Sequence, residues 1–309
     1  MKSIRVFITE NCNARCQNCI NAKARNNSEM DILRFSLMCK YFKENGIKNI
    51  RIMGGEPTIH PDFTKLMKIA QNTFERVTLF TNAITNGISK FVPRELDGIN
   101  YNFNFSSGLT KQKLLLNLPG SRILEVVLTP DSNPEKIIAN ISRIADWEPS
   151  RIIVSLTLDC TSNIFKERDQ IIPIYETIWN ACNEKNIKVV QDHAVPICFL
   201  YGSKIPIRLK GAFCTPECAG LIDADFNICY CNQHPMAIRN LFTNTNELIP
   251  FKIINNYIER EYYKNQLLAL EKICSNCVFF NKYCNGGCFI TRTNITKNDI
   301  ILNTKLPLS

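Results

Sequence analysis

No stretch of this 309-residue chain stays apolar long enough to cross a bilayer. The longest nearly uncharged run, around Ala194 to Tyr201, falls far short of the roughly 20 residues a span requires, so no membrane partner is expected. The first residues, MKSIRVFITENC, contain neither an apolar signal core nor a small-residue cleavage site, and the chain is read as cytoplasmic. Blocks of five like charges are absent as well. The excess of 37 Lys and Arg over 28 Asp and Glu, a net +9, is therefore read as spread over solvated faces. By itself it does not predict binding to nucleic acid. A 45% hydrophobic and 21% charged composition excludes a disordered or fibrous protein, and the length allows one large domain plus a small one.

Cysteine, by contrast, is abundant. There are 15, an odd number, in a chain too long for a small secreted disulfide scaffold. In a reducing compartment that many thiols point to metal.

Up to about residue 193 the chain alternates β-branched runs with patterns of apolar residues three and four apart. Strands are expected at Ile4 to Thr9, Asn49 to Met53, Arg76 to Thr81, Ile99 to Phe105, Arg122 to Leu128 and Arg151 to Leu158, with an edge run at Lys188 to His193. Helices are expected at Ile32 to Phe42, Phe63 to Phe74, Thr110 to Leu116, Pro134 to Ala145 and Asp169 to Asn183. Six strand-then-helix units predict an α/β fold of parallel strands, a partial barrel or an open sheet. Beyond residue 200 the periodicity fades, and eight of the cysteines fall between Cys214 and Cys288. Three segments are expected: 1–205 as the barrel, 206–293 as a cysteine-rich unit held together by metal, and 294–309 as a tail.

In parallel α/β folds ligands gather where loops leave the carboxyl ends of the strands. There the first strand delivers Cys12, Cys16 and Cys19, a C-x3-C-x2-C triplet with no fourth cysteine or histidine nearby. Zinc sites are usually closed by four ligands, so the triplet fits zinc poorly. Three thiolates suit a [4Fe–4S] cube with one iron left open. The second strand delivers Gly54, Gly55, Glu56 and Pro57; two glycines admit a close backbone approach, and a Glu can accept from an ammonium group. Asn82 and Ser106 end strands at the same rim and are candidates for nucleoside contact, although both residue types are also ordinary turn formers. His60 is read as part of the turn opening the next helix, with Asp62 as its cap.

With its C12-NAR-C16-QN-C19 triplet, GGEP at 54–57 and TN at 81–82, the chain resembles the radical S-adenosylmethionine (radical SAM) enzymes over about residues 1–193. The resemblance implies a partial (β/α)6 barrel, an open-iron cluster on Cys12, Cys16 and Cys19, and S-adenosylmethionine held through Gly54, Gly55 and Glu56. It implies reductive cleavage to a 5′-deoxyadenosyl radical that takes a hydrogen atom from the substrate, with a flavodoxin- or ferredoxin-like electron donor. Asn18 departs from the aromatic residue often found before the third cysteine.

Downstream, Cys274, Cys277, Cys284 and Cys288 read C-x2-C-x6-C-x3-C, and Cys214, Cys218, Cys229 and Cys231 precede them. This group is similar to the SPASM or twitch extension of the same family, which implies one or two auxiliary iron–sulfur clusters; CxxC spacing also suits zinc. By that analogy Cys288 joins Cys214 or Cys218 and Cys231 on one cluster, leaving Cys274, Cys277 and Cys284 on the other. On a strand, Cys229 and Cys231 would point the same way roughly 7 Å apart. His234 and Asp299 are further ligand candidates. Phe226 stands where that pattern usually has glycine. Cys39 and Cys182, inside helical patterns, are read as core residues, and Cys160, after the sixth strand, as a candidate hydrogen-atom donor.

The resemblance implies a peptide-maturing enzyme forming a crosslink or an epimer, with a small carbohydrate-like or aminocyclitol substrate as the alternative. The barrel is expected to begin at residue 4, so a preceding winged peptide-binding domain is not expected, which counts mildly against a leader-dependent maturase. A zinc-ribbon nucleic-acid-binding protein is the rival class, and it gives the triplet and GGEP no task.

Overall fold

The computed structural model describes residues 3–15, 19, 27–82, 99–104, 122–145, 151–156, 165–191, 197–206, 220–231, 234–270, 274 and 277. In chain order the elements are β1 (Ser3–Thr9), α1 (Ile32–Glu44), β2 (Asn49–Gly54), α2 (Phe63–Thr73), β3 (Arg76–Thr81) and β4 (Ile99–Asn104). There follow β5 (Arg122–Leu128), α3 (Pro134–Ala145), β6 (Arg151–Leu156), α4 (Arg168–Glu184), β7 (Val189–Gln191) and α5 (Ile197–Leu200). The last are β8 (Leu221–Ile222), β9 (Asn227–Cys231), β10 (His234–Asn240) and α6 (Phe251–Leu270). Two compact units result: Met1–Leu124 with Pro216–Tyr262, and Glu125–Thr215 with Tyr263–Ser309.

In the first unit the strands lie in the order β10-β9-β8-β1-β2-β3-β4. β1 through β4 are parallel, with Val6 opposite Ile52 and Ile52 opposite Leu79. Alternation does the sorting: Ile4, Val6, Ile8, Ile50, Ile52, Val77 and Leu79 are all buried, while Arg51 and Arg76 on the other parity are exposed. Phe35, Met38, Cys39 and Phe42 on α1 and Leu66, Met67 and Ala70 on α2 recur at helical spacing and are equally buried. α1 begins where the Asp31 carboxylate accepts from the Arg34 amide at 2.8 Å. It stops at Gly46, whose φ of +81° lets the Gly46 and Ile47 amides reach back to Lys43 and Phe42.

The expected α/β architecture with a parallel sheet is present, and β1 to β7 fall on the expected runs. The expected helix at 110–116 lies outside the described residues. Asp62 holds the N-cap position of α2 but makes no capping bond; its carboxylate pairs with Lys65 at 2.6 Å instead. His60 does belong to that turn, its Nδ1 accepting from the Asp62 amide at 3.0 Å.

Two features go beyond the sequence reading. β8 lies parallel to β1, Arg5 opposite Leu221, so the cysteine-rich segment adds β8, β9 and β10 to the edge of this sheet. α6 is a helix of 20 residues in a region read as aperiodic, with Ile254 and Ile258 on its buried side. In the second unit β5, β6 and β7 are neighbours and β6 and β7 are parallel. There Arg168 fastens the start of α4 to α5 by donating to the Phe199 carbonyl at 2.7 Å.

Candidate active site

The carboxyl ends of β1, β2 and β3 meet at one rim. The loop leaving β1 passes directly over the end of β2, where the Gly55 amide donates to Thr9 O at 2.8 Å and the Glu56 amide to Asn11 O at 2.7 Å. A side chain on either glycine would prevent this. A Cβ on Gly54 would lie 2.2 Å from Thr9 O, and one on Gly55 only 2.0 Å from Asn11 O. What these glycines admit is the chain's own cysteine loop.

The Glu56 carboxylate is buried, and four donors turn toward it. Oε1 accepts from the Thr58 amide at 3.1 Å, the Thr58 hydroxyl at 2.5 Å and the Thr81 hydroxyl at 2.6 Å, while Oε2 accepts from the Asn82 amide at 2.7 Å. Burial pushes its pKa upward against the pull of these bonds. Glu56 thus clamps the end of β2 to the end of β3. Sequence reasoning missed that task, because nothing local links residue 56 to residues 81 and 82.

Asn82 in turn reaches the cysteine loop, donating from Nδ2 to Asn13 Oδ1 at 2.8 Å and lying 4.0 Å from Cys12 Sγ. The Ala14 amide also points at Cys12 Sγ, at 3.4 Å. Cys12 and Cys19 are half-buried. Cys16 lies outside the described residues. A half-buried cysteine whose sulfur receives N–H donors is suited to ligate a metal, so the donor set fits an iron–sulfur cluster.

Residues 6–105 match the family model of the radical SAM superfamily. The chain carries a radical SAM domain. The cysteine loop, GGEP and Asn82 all fall within it. Among curated relatives, the GTP 3′,8-cyclase of Chlorobaculum tepidum is 30% identical over 102 residues, 31% of each chain. The mitochondrial GTP 3′,8-cyclase of Arabidopsis thaliana is 26% identical over 193 residues, 57% of this chain and 48% of that one. The chain thus spans about a third to a half of these relatives. Among solved structures, anSMEcpe with bound AdoMet and the Cp18Cys peptide superposes with a TM-score of 0.68 at 16% identity, covering 98% of this chain and 94% of that one. Streptococcus suis SuiB bound to S-adenosylmethionine gives a TM-score of 0.67 at 14% identity, covering 96% and 75%. At these identities the likeness is one of fold.

The remaining candidates sit on other elements or lie outside the described residues. Cys229 is buried against Phe7 and Leu221, with Met53 packed beside them. Burial, together with the Asp223 carboxylate that its thiol faces at 3.9 Å, pushes its pKa up to about 12. Cys231 lies on the same strand, and His234 stands opposite it in the β9–β10 register. Cys274 and Cys277 are half-buried, and the Cys277 amide donates to Cys274 O at 3.0 Å. Cys39 and Cys182 are fully buried free thiols, as expected of core residues. Ser106, Cys160, Cys214, Cys218, Cys284, Cys288 and Asp299 lie outside the described residues. No described helix is long and apolar enough to cross a membrane.

Proposed function

We propose that this radical SAM enzyme removes a hydrogen atom from a ribosomally synthesised peptide, leaving a crosslink or an inverted α-carbon. The observation that carries the reading is the convergence of the Cys12 loop, Gly54, Gly55, Glu56 and Asn82 on one rim. Bound by Cys12, Cys16 and Cys19, a [4Fe–4S] cluster with S-adenosylmethionine supplies the 5′-deoxyadenosyl radical for that step. Gly55 and Glu56 hold the cysteine loop in place through their amides. The main chain of Gly54, Gly55 and Glu56 is assigned to the methionine ammonium group, the Glu56 carboxylate being taken up by Thr58, Thr81 and Asn82, and Ser106 is assigned as a nucleoside contact. An electron carrier of the flavodoxin or ferredoxin type acts as donor, and Cys160 is assigned to return a hydrogen atom where the outcome is epimerisation.

A peptide substrate is supported by fold likeness across nearly the whole chain to two proteins whose solved structures include bound peptides, SuiB with SuiA and anSMEcpe with Cp18Cys. A nucleotide is the second reading, favoured by the GTP 3′,8-cyclases among the sequence relatives. We assign auxiliary clusters to Cys274, Cys277 and Cys284, and to Cys288 with Cys214 or Cys218 and Cys231. Cys231 is preferred to Cys229, whose thiol is packed among apolar side chains.

The test is anaerobic reconstitution followed by turnover. Eight to twelve irons, roughly, are expected if every site holds a cube. An iron count near four leaves the auxiliary assignment without support. Replacing Cys12, Cys16 and Cys19 by Ala must abolish 5′-deoxyadenosine formation while downstream iron persists; continued cleavage refutes the active-site reading. Peptides encoded beside the gene are then assayed by mass spectrometry. A loss of about two mass units indicates crosslinking, and one deuterium gained from heavy water indicates inversion. Turnover of GTP with no change in any peptide selects the nucleotide.

A further inference from the structure

We infer that Asn82 is a positioning residue for the iron–sulfur cluster, its side-chain amide holding the Cys12 sulfur from the end of the third strand. The inference rests on the reading of Cys12, Cys16 and Cys19 as cluster ligands, and gives Asn82 a task other than nucleoside contact.

The geometry is a relay. Glu56 Oε2 fixes the Asn82 main chain at 2.7 Å, which sets where its side chain starts. Nδ2 carries two hydrogens. One goes to Asn13 Oδ1 at 2.8 Å, and Cys12 Sγ lies 4.0 Å from the same nitrogen, at the long end of an N–H···S contact. Both neighbours are acceptors, so the opposite amide orientation would set Oδ1 against an oxygen and a sulfur. On its other flank the same loop is held by the Gly55 and Glu56 amides, and the Ala14 amide reaches Cys12 Sγ at 3.4 Å. The loop that carries Cys12 is therefore held from the end of β2, and the Cys12 sulfur itself is approached from the end of β3.

A donor aimed at a ligand sulfur stabilises the reduced, more negative state of an iron–sulfur cluster and raises its reduction potential. A residue that only touched the nucleoside would leave the cofactor-free cluster unaffected.

The experiment compares wild-type protein, Asn82→Leu, Asn82→Gln and Asn82→Asp, each reconstituted anaerobically without S-adenosylmethionine and titrated reductively under paramagnetic resonance. The signal of interest is the one that S-adenosylmethionine perturbs in wild type. Asn82→Leu keeps the main-chain bond to Glu56 but loses the amide, so its midpoint should fall below wild type, with weaker iron retention. Asn82→Asp should lie lower still, because a charge repels the thiolate. Asn82→Gln, which keeps an N–H, should move back toward wild type. Loss of iron in Asn82→Leu with retention in Asn82→Gln supports the same conclusion. A wild-type midpoint in Asn82→Leu, even with weakened cofactor affinity, overturns the inference while leaving the radical SAM reading intact. A wild-type protein without a cofactor-sensitive cluster overturns both.

Discussion

Replacing Gly55 with Ala puts one methyl group where the cysteine loop runs. The added carbon would sit 2.0 Å from Asn11 O, 2.5 Å from Asn11 C and 2.7 Å from Glu10 O, all inside the 3.0 Å that real Cβ contacts keep. All three obstacles are backbone, so no rotamer change relieves the clash. The loop has to retreat by about 1 Å, the difference between the 2.0 Å contact and that limit. Its bonds from Gly55 to Thr9 and from Glu56 to Asn11, 2.8 and 2.7 Å, stretch or break with it. Overpacking costs about 1–3 kcal/mol, and two main-chain bonds add about 1 kcal/mol each, so a loss of roughly 3–5 kcal/mol is expected. Gly46→Ala is the control. Its φ of +81° carries the left-handed penalty of about 1–2 kcal/mol, but nothing lies within 4 Å of its Cβ. Chemical denaturation should therefore rank Gly55→Ala well below Gly46→Ala. Only the former should lose iron and the resonance signal sensitive to S-adenosylmethionine. A Gly55→Ala protein with wild-type stability and iron content would refute the argument that close approach of the loop dictates this glycine.

Phe226 sits at φ +65°, yet it is buried, edge-on to Phe242 at 5.2 Å and with the Arg34 guanidinium 6.0 Å from its ring centroid. Phe226→Gly relieves about 1–2 kcal/mol of backbone strain but gives up about 3–5 kcal/mol of aromatic burial, so a net destabilisation of about 2 kcal/mol is expected in urea unfolding; a more stable variant would contradict it. Burial lowers the pKa of His60, with Glu29 opposing, so the unfolded chain binds the extra proton. Its contribution to stability is complete above the ordinary histidine pKa of about 6.5 and fades as pH falls from there toward the folded value. His60→Gln should flatten the pH dependence between about 7 and 5, and an unchanged slope would count against this. Burial drives the Cys39 thiol upward and the Cys182 thiol up to about 12. Alkylation of native iron-free protein at pH 8, read by peptide mass spectrometry, should leave both unmodified while labelling Cys12 and Cys19.

The order of β1 to β7 and α1 to α4 was legible because each element carries its own period. Val6, Ile8, Ile52 and Leu79 alternate, and Phe35, Met38, Cys39 and Phe42 recur at helical spacing. Local pattern suffices when an element buries one face. The cysteine triplet and GGEP were equally plain, since residue type and spacing alone set what chemistry they can do. Short strands carry no such signal: β8 is two residues long, and only its pairing with β1 makes it a strand.

What the chain encodes locally is therefore the set of parts, namely thiols for a metal, glycines at a strand end and a carboxylate beside them. The tertiary structure decided what those parts do to one another. Gly54 and Gly55 face Thr9 and Asn11, some 45 residues earlier, and Glu56 is occupied by Thr81 and Asn82, 25 and 26 residues later. The reason is that hydrogen bonds and hard-core contacts act over about 3 Å of space and take no account of distance along the chain. Only parallel pairing of β1, β2 and β3 brings those atoms within that reach.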